Sequence, residues 1–180
     1  MNRYIIVEPG GDITKLMLSD LEKCADISIL KTTHNIKSTL LKKIWSHHIG
    51  YTLNKRVIMP FQRIWWKFYT LSGVEFNKED QYYIIFGNAV LNDYDDGFLR
   101  YLTQEANIHL ILYFSDPVDS DFAKLAKVRA QRNKFEYIFT FDPKDAEKYG
   151  YIKTHFLYST SNIAPNKDEK SNLCFVGENK

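Results

Sequence analysis

Short apolar runs alternate with capped, amphipathic stretches along most of this chain. The pattern is clearest in Phe135–Tyr158, FEYIFTFDPKDAEKYGYIKTHFLY. Phe135–Phe141 is apolar and rich in aromatic and β-branched residues, which predicts a buried strand. Asp142 ends that run and offers a helix N-cap, and Pro143 suits the first helical position. Asp145 puts negative charge in the first turn, where the helix dipole favours it. Gly150 provides a left-handed C-cap, and Thr154–Tyr158 is extended again. The stretch reads as a β-α-β unit. Such units build parallel sheets with ligands at the carboxyl ends of the strands, here near Asp142.

The same grammar extends through the rest of the chain. Tyr4–Val7 is a compact strand, followed by the turn Glu8-Pro9-Gly10-Gly11. Asp12 caps a helix running to about Cys24, with Leu16, Leu18 and Leu21 as its apolar contacts. Ile27–Leu30 is a second strand. Two helices follow. Ile36, Leu40, Leu41, Ile44, Trp45 and His48 share a face of the first. Leu53, Val57, Ile58, Phe61, Ile64, Trp65, Phe68 and Leu71 recur at helical spacing in the second, which Pro60 kinks or divides. Tyr82–Phe86 is a strand ending at Gly87-Asn88. Gly97 leads into a helix around Phe98–Ala106. Ile108–Phe114 is apolar almost throughout, as central strands covered on both faces are. It ends at Ser115-Asp116-Pro117. A helix from about Ser120 to Arg132 turns Phe122, Leu125, Ala126 and Val128 inward. Asn162–Asn172 reads as a polar linker, and Leu173–Val176 as one more strand. The order predicts an α/β fold with a doubly wound, mostly parallel Rossmann-like sheet and a helical insertion at about 35–72.

Length and composition fit that reading. The 180 residues suffice for one α/β domain. The net charge of +2 points to no partner class. Cys24 and Cys174 lie far apart beside apolar residues, as buried free thiols do, and no zinc or disulfide spacing is present. The N-terminus has no signal-peptide pattern and no apolar run is long enough to span a bilayer, so the expected location is the cytoplasm.

Candidate chemistry lies where strands end. Glu8–Gly11, Gly87–Asn88, Ser115–Asp116 and Asp142 would gather along one sheet edge. Gly10 and Gly11 would let a phosphate or sugar approach the backbone, or simply make the turn. Asp116 and Asp142 each precede a Pro and a helix. N-capping explains both; a hydroxyl-binding carboxylate or general base is the functional alternative. Asn88 could bond a sugar or occupy a left-handed turn. Dinucleotide, P-loop and H-E-x-x-H motifs are absent from the sequence. A single acidic residue after the first strand argues against a phosphoreceiver.

A charge asymmetry adds a second theme. From Ile27 to Val74 there is no Asp or Glu, while eight Lys or Arg and all three Trp fall there. A helical wheel sets Trp66 and Met59 among Lys55, Arg56, Arg63 and Lys67, opposite Trp65. That arrangement suits an anionic membrane surface. It also fits a solvated basic face balanced by acidic residues elsewhere. No nucleic-acid motif accompanies it, so nucleic acid is not an expected partner.

The run IFTFDPKDAEKYG with HFLY, preceded by LILYFSDPV and followed by CFVG and Lys180, resembles the N-terminal half of bacterial surface-polysaccharide glycosyltransferases of the GT-B type, the lipopolysaccharide and capsule biosynthesis enzymes. The resemblance covers about Tyr83 to the end. It implies an acceptor-binding domain over 1–161, a linker over 162–172, and at 173–180 the start of a donor-binding domain that the chain lacks. It implies transfer of a sugar, hexosyltransferase fashion, from a nucleotide-sugar donor to a hydroxyl of a glycan or lipid-linked acceptor, with no cofactor and no obligatory metal. Asp116, then Glu8, would be the base; Gly10, Gly11, Asn88, Ser115 and Asp142 would line the cleft. Without the second domain such a chain is expected to bind acceptor and not to transfer sugar efficiently. A non-enzymatic doubly wound binding or regulatory domain, peripheral on the inner face of the membrane through its basic helices, is the alternative.

Overall fold

The computed structural model describes residues 1–8, 18, 20–45 and 62–154. Six parallel strands form one sheet: β1 (Asn2–Val7), β2 (Ile27–Leu30), β3 (Gln81–Gly87), β4 (Ile108–Phe114), β5 (Tyr137–Thr140) and β6 (Ile152–Lys153). Their spatial order is β2-β1-β3-β4-β5-β6. The chain is thus an α/β protein with a doubly wound, Rossmann-like sheet. The connection β1→β2 runs one way across the sheet and all later ones run the other way. That reversal puts the topological switch point between β1 and β3, where open parallel sheets form their crevice.

The described helices are α1 (Thr39–Ile44), α2 (Gln62–Trp66), α3 (Asn88–Leu91), α4 (Asp96–Leu102), α5 (Lys124–Arg132) and α6 (Pro143–Tyr149). Parallel pairing needs such crossovers, and their handedness sends those between β3, β4, β5 and β6 to one face. That face is the core. β3 buries Tyr82, Ile84 and Phe86, and β4 buries Ile108, Leu110, Leu112 and Phe114. Leu91, Tyr94, Phe98, Leu99 and Ala126 pack onto them. On the opposite face the rings of Tyr4, Tyr83 and His109 stack from strand to strand, at centroid distances of 5.4 and 5.0 Å.

Local chemistry sets the element ends. Asp142 caps α6 by accepting from Lys144 N (2.8 Å), with Pro143 in the first turn. Gly150 closes the helix at φ 69°, a left-handed conformation that costs glycine little. Asp95 caps α4 by accepting from Phe98 N at 2.9 Å.

Several expectations need correction. Cys24 is exposed, because it follows a 3₁₀ turn at Leu21–Lys23 that buries nothing. Leu40 is exposed: α1 starts after its Ser38 cap, so Ile36 lies before the helix and the wheel drawn from it loses register. Phe122 is 75% exposed, since α5 begins only at Lys124. Arg129 takes the inward place instead, with its guanidinium 3.2 Å from Asp96. Trp66 was expected outward. It is half-buried because α2 packs against α4, setting its ring against Phe98 and Tyr101 with Arg63 over it. The proposed Asp12 helix start, His48, residues 53–61, the extended run beyond 154, the linker and Leu173–Lys180 lie outside the described residues. No described helix is long and apolar enough to cross a membrane.

Candidate functional site

Three predicted residues come together at the carboxyl ends of β3 and β4. Asn88 opens α3 directly after β3 and is wholly buried. Its Oδ1 accepts from Ser115 N and from Ser115 Oγ, each at 2.9 Å. Its Nδ2 donates to Asp116 Oδ2 at 2.9 Å. The amide orientation follows from chemistry. The Ser115 backbone N–H can only donate, so the atom facing it must be the carbonyl oxygen, and the NH₂ therefore points at Asp116. Ser115 Oγ also lies 3.4 Å from Asp116 Oδ2 and has one proton to give, so the shorter contact to Asn88 takes it.

Asp116 is half-buried, and its Oδ1 has no hydrogen-bond partner among the described residues. One oxygen is tied into the protein and the other can take a hydroxyl. No helix starts at Asp116, so N-capping does not explain it: the chain runs through a turn and α5 begins at Lys124, after Ala123.

Glu8 completes the switch point. Its backbone N–H reaches Leu30 O at 3.0 Å, holding the exit of β1 to that of β2. Its carboxylate comes against Gly87, where an added Cβ would sit 3.5 Å from Oε2. Glu8 therefore approaches the residue before Asn88 from the β1 side of the switch point. Gly10 and Gly11 lie outside the described residues. Asp142 serves as the α6 cap, and no hydrogen bond joins it to Asn88, Ser115 or Asp116 among the described residues. Among the described residues no three His, Cys, Asp or Glu side chains are grouped to hold a metal ion. Of the expected membrane-facing set, Lys55 and Arg56 lie outside the described residues, while Arg63 and Lys67 are exposed.

Two polar clusters beside this edge were not anticipated. Asp119 joins Lys127 (2.6 Å), Lys148 (2.8 Å) and the Tyr149 hydroxyl (2.6 Å), tying the β4 exit loop to α5 and α6. Hydrogen bonds from Lys127, Lys148 and Tyr149 hold its carboxyl well below the usual range. Asp145, buried in the first turn of α6, accepts from Val118 N at 2.7 Å. Its position suggested only a dipole partner, whereas its oxygen fixes the loop that carries Asp116. Sequence spacing carried no hint of either, since the partners are far apart in the chain. No family model matches the sequence, and no curated protein or solved structure matches it.

Proposed function

We propose that this chain is the acceptor-binding domain of a GT-B-type glycosyltransferase that moves a sugar from a nucleotide sugar to a hydroxyl of a surface glycan or glycolipid. The observation that supports the reading is the Asn88–Ser115–Asp116 cluster beside the switch point. Asn88 orients the Asp116 carboxylate through one oxygen, and the second oxygen would accept the proton of an acceptor hydroxyl. A positioned carboxylate of this kind contributes both orientation and general-base deprotonation. Glu8, across the crevice, would bond a second hydroxyl of the same sugar. The donor would bind to a second domain, which would stabilise its leaving diphosphate.

The test is to titrate the protein with glycan and glycolipid acceptors while following amide NMR shifts, then to assay transfer from nucleotide sugars. Shifts are expected at Asn88, Ser115 and Asp116. Where transfer occurs, Asp116→Asn should lower turnover by about 10²–10⁴-fold and leave acceptor affinity nearly intact. Acceptor shifts elsewhere, or near-normal turnover of the variant, would remove Asp116 from the role.

A second reading keeps the fold and drops the catalysis: a binding domain resting on an anionic membrane. Its support is α2 and the residue after it, where Arg63, Ile64 and Lys67 are all exposed. Ile64, at 58%, takes the outward apolar position expected of Trp66. Sedimentation with anionic and neutral vesicles decides it, and equal recovery with both would end it.

A further inference from the structure

The basic, acid-free segment of the sequence folds in part into a hollow at the carboxyl end of β2. After Leu30 the chain reads Lys31-Thr32-Thr33-His34-Asn35-Ile36-Lys37. Its backbone is pinned rather than loose. Thr70 N donates to Thr33 O (3.0 Å) and Asn35 N donates to Phe68 O (2.8 Å), on either side of an antiparallel bridge between His34 and Tyr69. Thr33 Oγ1 donates to Asp93 Oδ2 at 2.8 Å. Ile36 and Trp45 are buried beneath, with the His34 ring 5.5 Å from that of Trp45. Ser38 then caps α1 through Leu41 N, which holds Lys37 just before the helix and Lys42 one turn into it.

The resulting hollow is about 640 Å³, and Lys31, Thr32, His34, Asn35, Lys37 and Lys42 contribute to its lining. Among the described residues no Asp or Glu lines it. Lys31 is engaged by Glu22 at 2.7 Å. Lys37 and Lys42 are exposed and form no ion pair among the described residues. Two ammonium groups on long stems, over a floor that offers the Asn35 amide beside a Thr32 hydroxyl paired with Thr70 Oγ1 at 3.2 Å, attract a multiply charged anion. The hollow is shallow and open to solvent, so the rest of a ligand has room over Thr32 and Asn35.

We propose that this hollow binds a phosphate-bearing ligand through Lys37 and Lys42. The inference does not depend on Asp116 or on sugar transfer, and it uses other side chains than the α2 surface. The phosphate belongs either to a soluble ester or to an anionic lipid headgroup.

The experiment has two arms on the full chain at low salt. In one, inorganic pyrophosphate is titrated while amide NMR shifts are followed. In the other, the protein is sedimented with phosphatidylcholine vesicles with and without phosphatidylglycerol. Each arm compares the wild type with Lys37→Ala/Lys42→Ala, with Lys37→Gln/Lys42→Gln, and with Lys124→Ala/Lys144→Ala, which loses the same charge from exposed sites elsewhere. Saturable pyrophosphate shifts over residues 31–42, weakened about tenfold or more in both Lys37/Lys42 variants but not in the control, establish the site with a soluble ligand. Vesicle binding with that same variant pattern and no pyrophosphate response establishes it with a lipid headgroup. No response in either arm, or equal loss in the Lys124/Lys144 control, overturns it.

Discussion

Replacing Asn88 by Ala tests how the ends of β3 and β4 are held together. The side chain is fully buried and makes three hydrogen bonds, two from Ser115 and one to Asp116. Alanine leaves the half-buried Ser115 N–H without its acceptor, which costs about 1–3 kcal/mol, the upper end applying where water does not reach it. The bond to Asp116 is worth about 1 kcal/mol more, at the low end for a charged acceptor, because the half-buried carboxylate can be rehydrated. The Ser115 hydroxyl can turn to Asp116, already 3.4 Å away, so its loss adds little. The sum is about 2–4 kcal/mol, a fall in melting temperature of roughly 5–15 °C for a domain of this size. Calorimetry together with urea unfolding reads both quantities. A loss below about 0.5 kcal/mol, the size of an ordinary surface change, would refute the geometry.

Asn88→Asp sharpens the same test. It replaces the donor facing Asp116 with a second carboxylate, and two like charges at such a distance cannot both ionise cheaply. The shared carboxyl group is then raised above its unfolded value. A native state that holds an extra proton loses stability as pH rises. The variant should therefore be markedly less stable than wild type at pH 7, with the penalty shrinking as pH falls toward about 4. A penalty independent of pH would mean that the two side chains do not face one another.

Other consequences can be checked on the same instruments. Gly97→Ala would place a Cβ 2.9 Å from Asp95 Oδ1 and 3.2 Å from Trp66, so it should cost about 1–3 kcal/mol and shift the tryptophan emission; Gly87→Ala, with nothing nearer than 3.5 Å, should be tolerated. Tyr69→Phe removes the hydroxyl that donates to Asp95 Oδ2 and accepts from Asp95 N, and should cost about 1–3 kcal/mol in thermal unfolding. Burial, then the Asp95 charge, raises the Tyr69 phenol, and burial raises that of Tyr94. Their stabilisation is present below about pH 10 and is lost as pH rises beyond it, so Tyr94→Phe should flatten the alkaline unfolding curve. Asp119, lowered by its hydrogen bonds to Lys127, Lys148 and Tyr149, acts in the opposite sense. It stabilises above the usual carboxylate range and loses effect as pH falls, so Asp119→Asn should reduce the acid dependence of stability between about pH 5 and 2.

What was legible in the sequence was local. Ile27–Leu30 and Ile108–Phe114 appear at their expected bounds; the second is a continuous apolar run in a covered central strand, while the first is the sheet edge, with Ser28 exposed and its apolar residues half-buried. Asp142, Pro143 and Gly150 punctuate α6 as expected, since each acts on its own turn. Expectations that depended on phase failed. A wheel begun at Ile36 has the wrong origin when Ser38 is the cap, and this exposes Leu40. An arginine reads as an outward residue until a partner such as Asp96 comes within reach, 33 residues away in the chain. The candidate site shows the same division. Glu8, Asn88, Ser115 and Asp116 were each recognisable as strand-end polar residues. That Asn88 bonds both Ser115 and Asp116, 27 and 28 residues later, follows only from β3 and β4 being neighbours in parallel register.

The Asn88 cluster admits two roles, and its hydrogen bonds show how they can be separated. As a staple, it needs Asn88 Oδ1 for Ser115 and Nδ2 for Asp116, and the second carboxylate oxygen is idle. As a site, it needs that second oxygen, and Asn88 matters because it fixes where the oxygen points. Asp116→Asn divides the two. An asparagine can present its amide oxygen to Asn88 Nδ2 and preserve the staple, so stability should fall by no more than about 1 kcal/mol, the net worth of the charge on that bond. The same change removes the anion that would take a proton from a bound hydroxyl. A variant that folds as well as wild type and keeps the acceptor shifts at Ser115 yet loses turnover would assign the cluster to chemistry. A variant that loses stability and nothing else would make it a clamp between two strand ends, and the crevice beside Glu8 would then need another base.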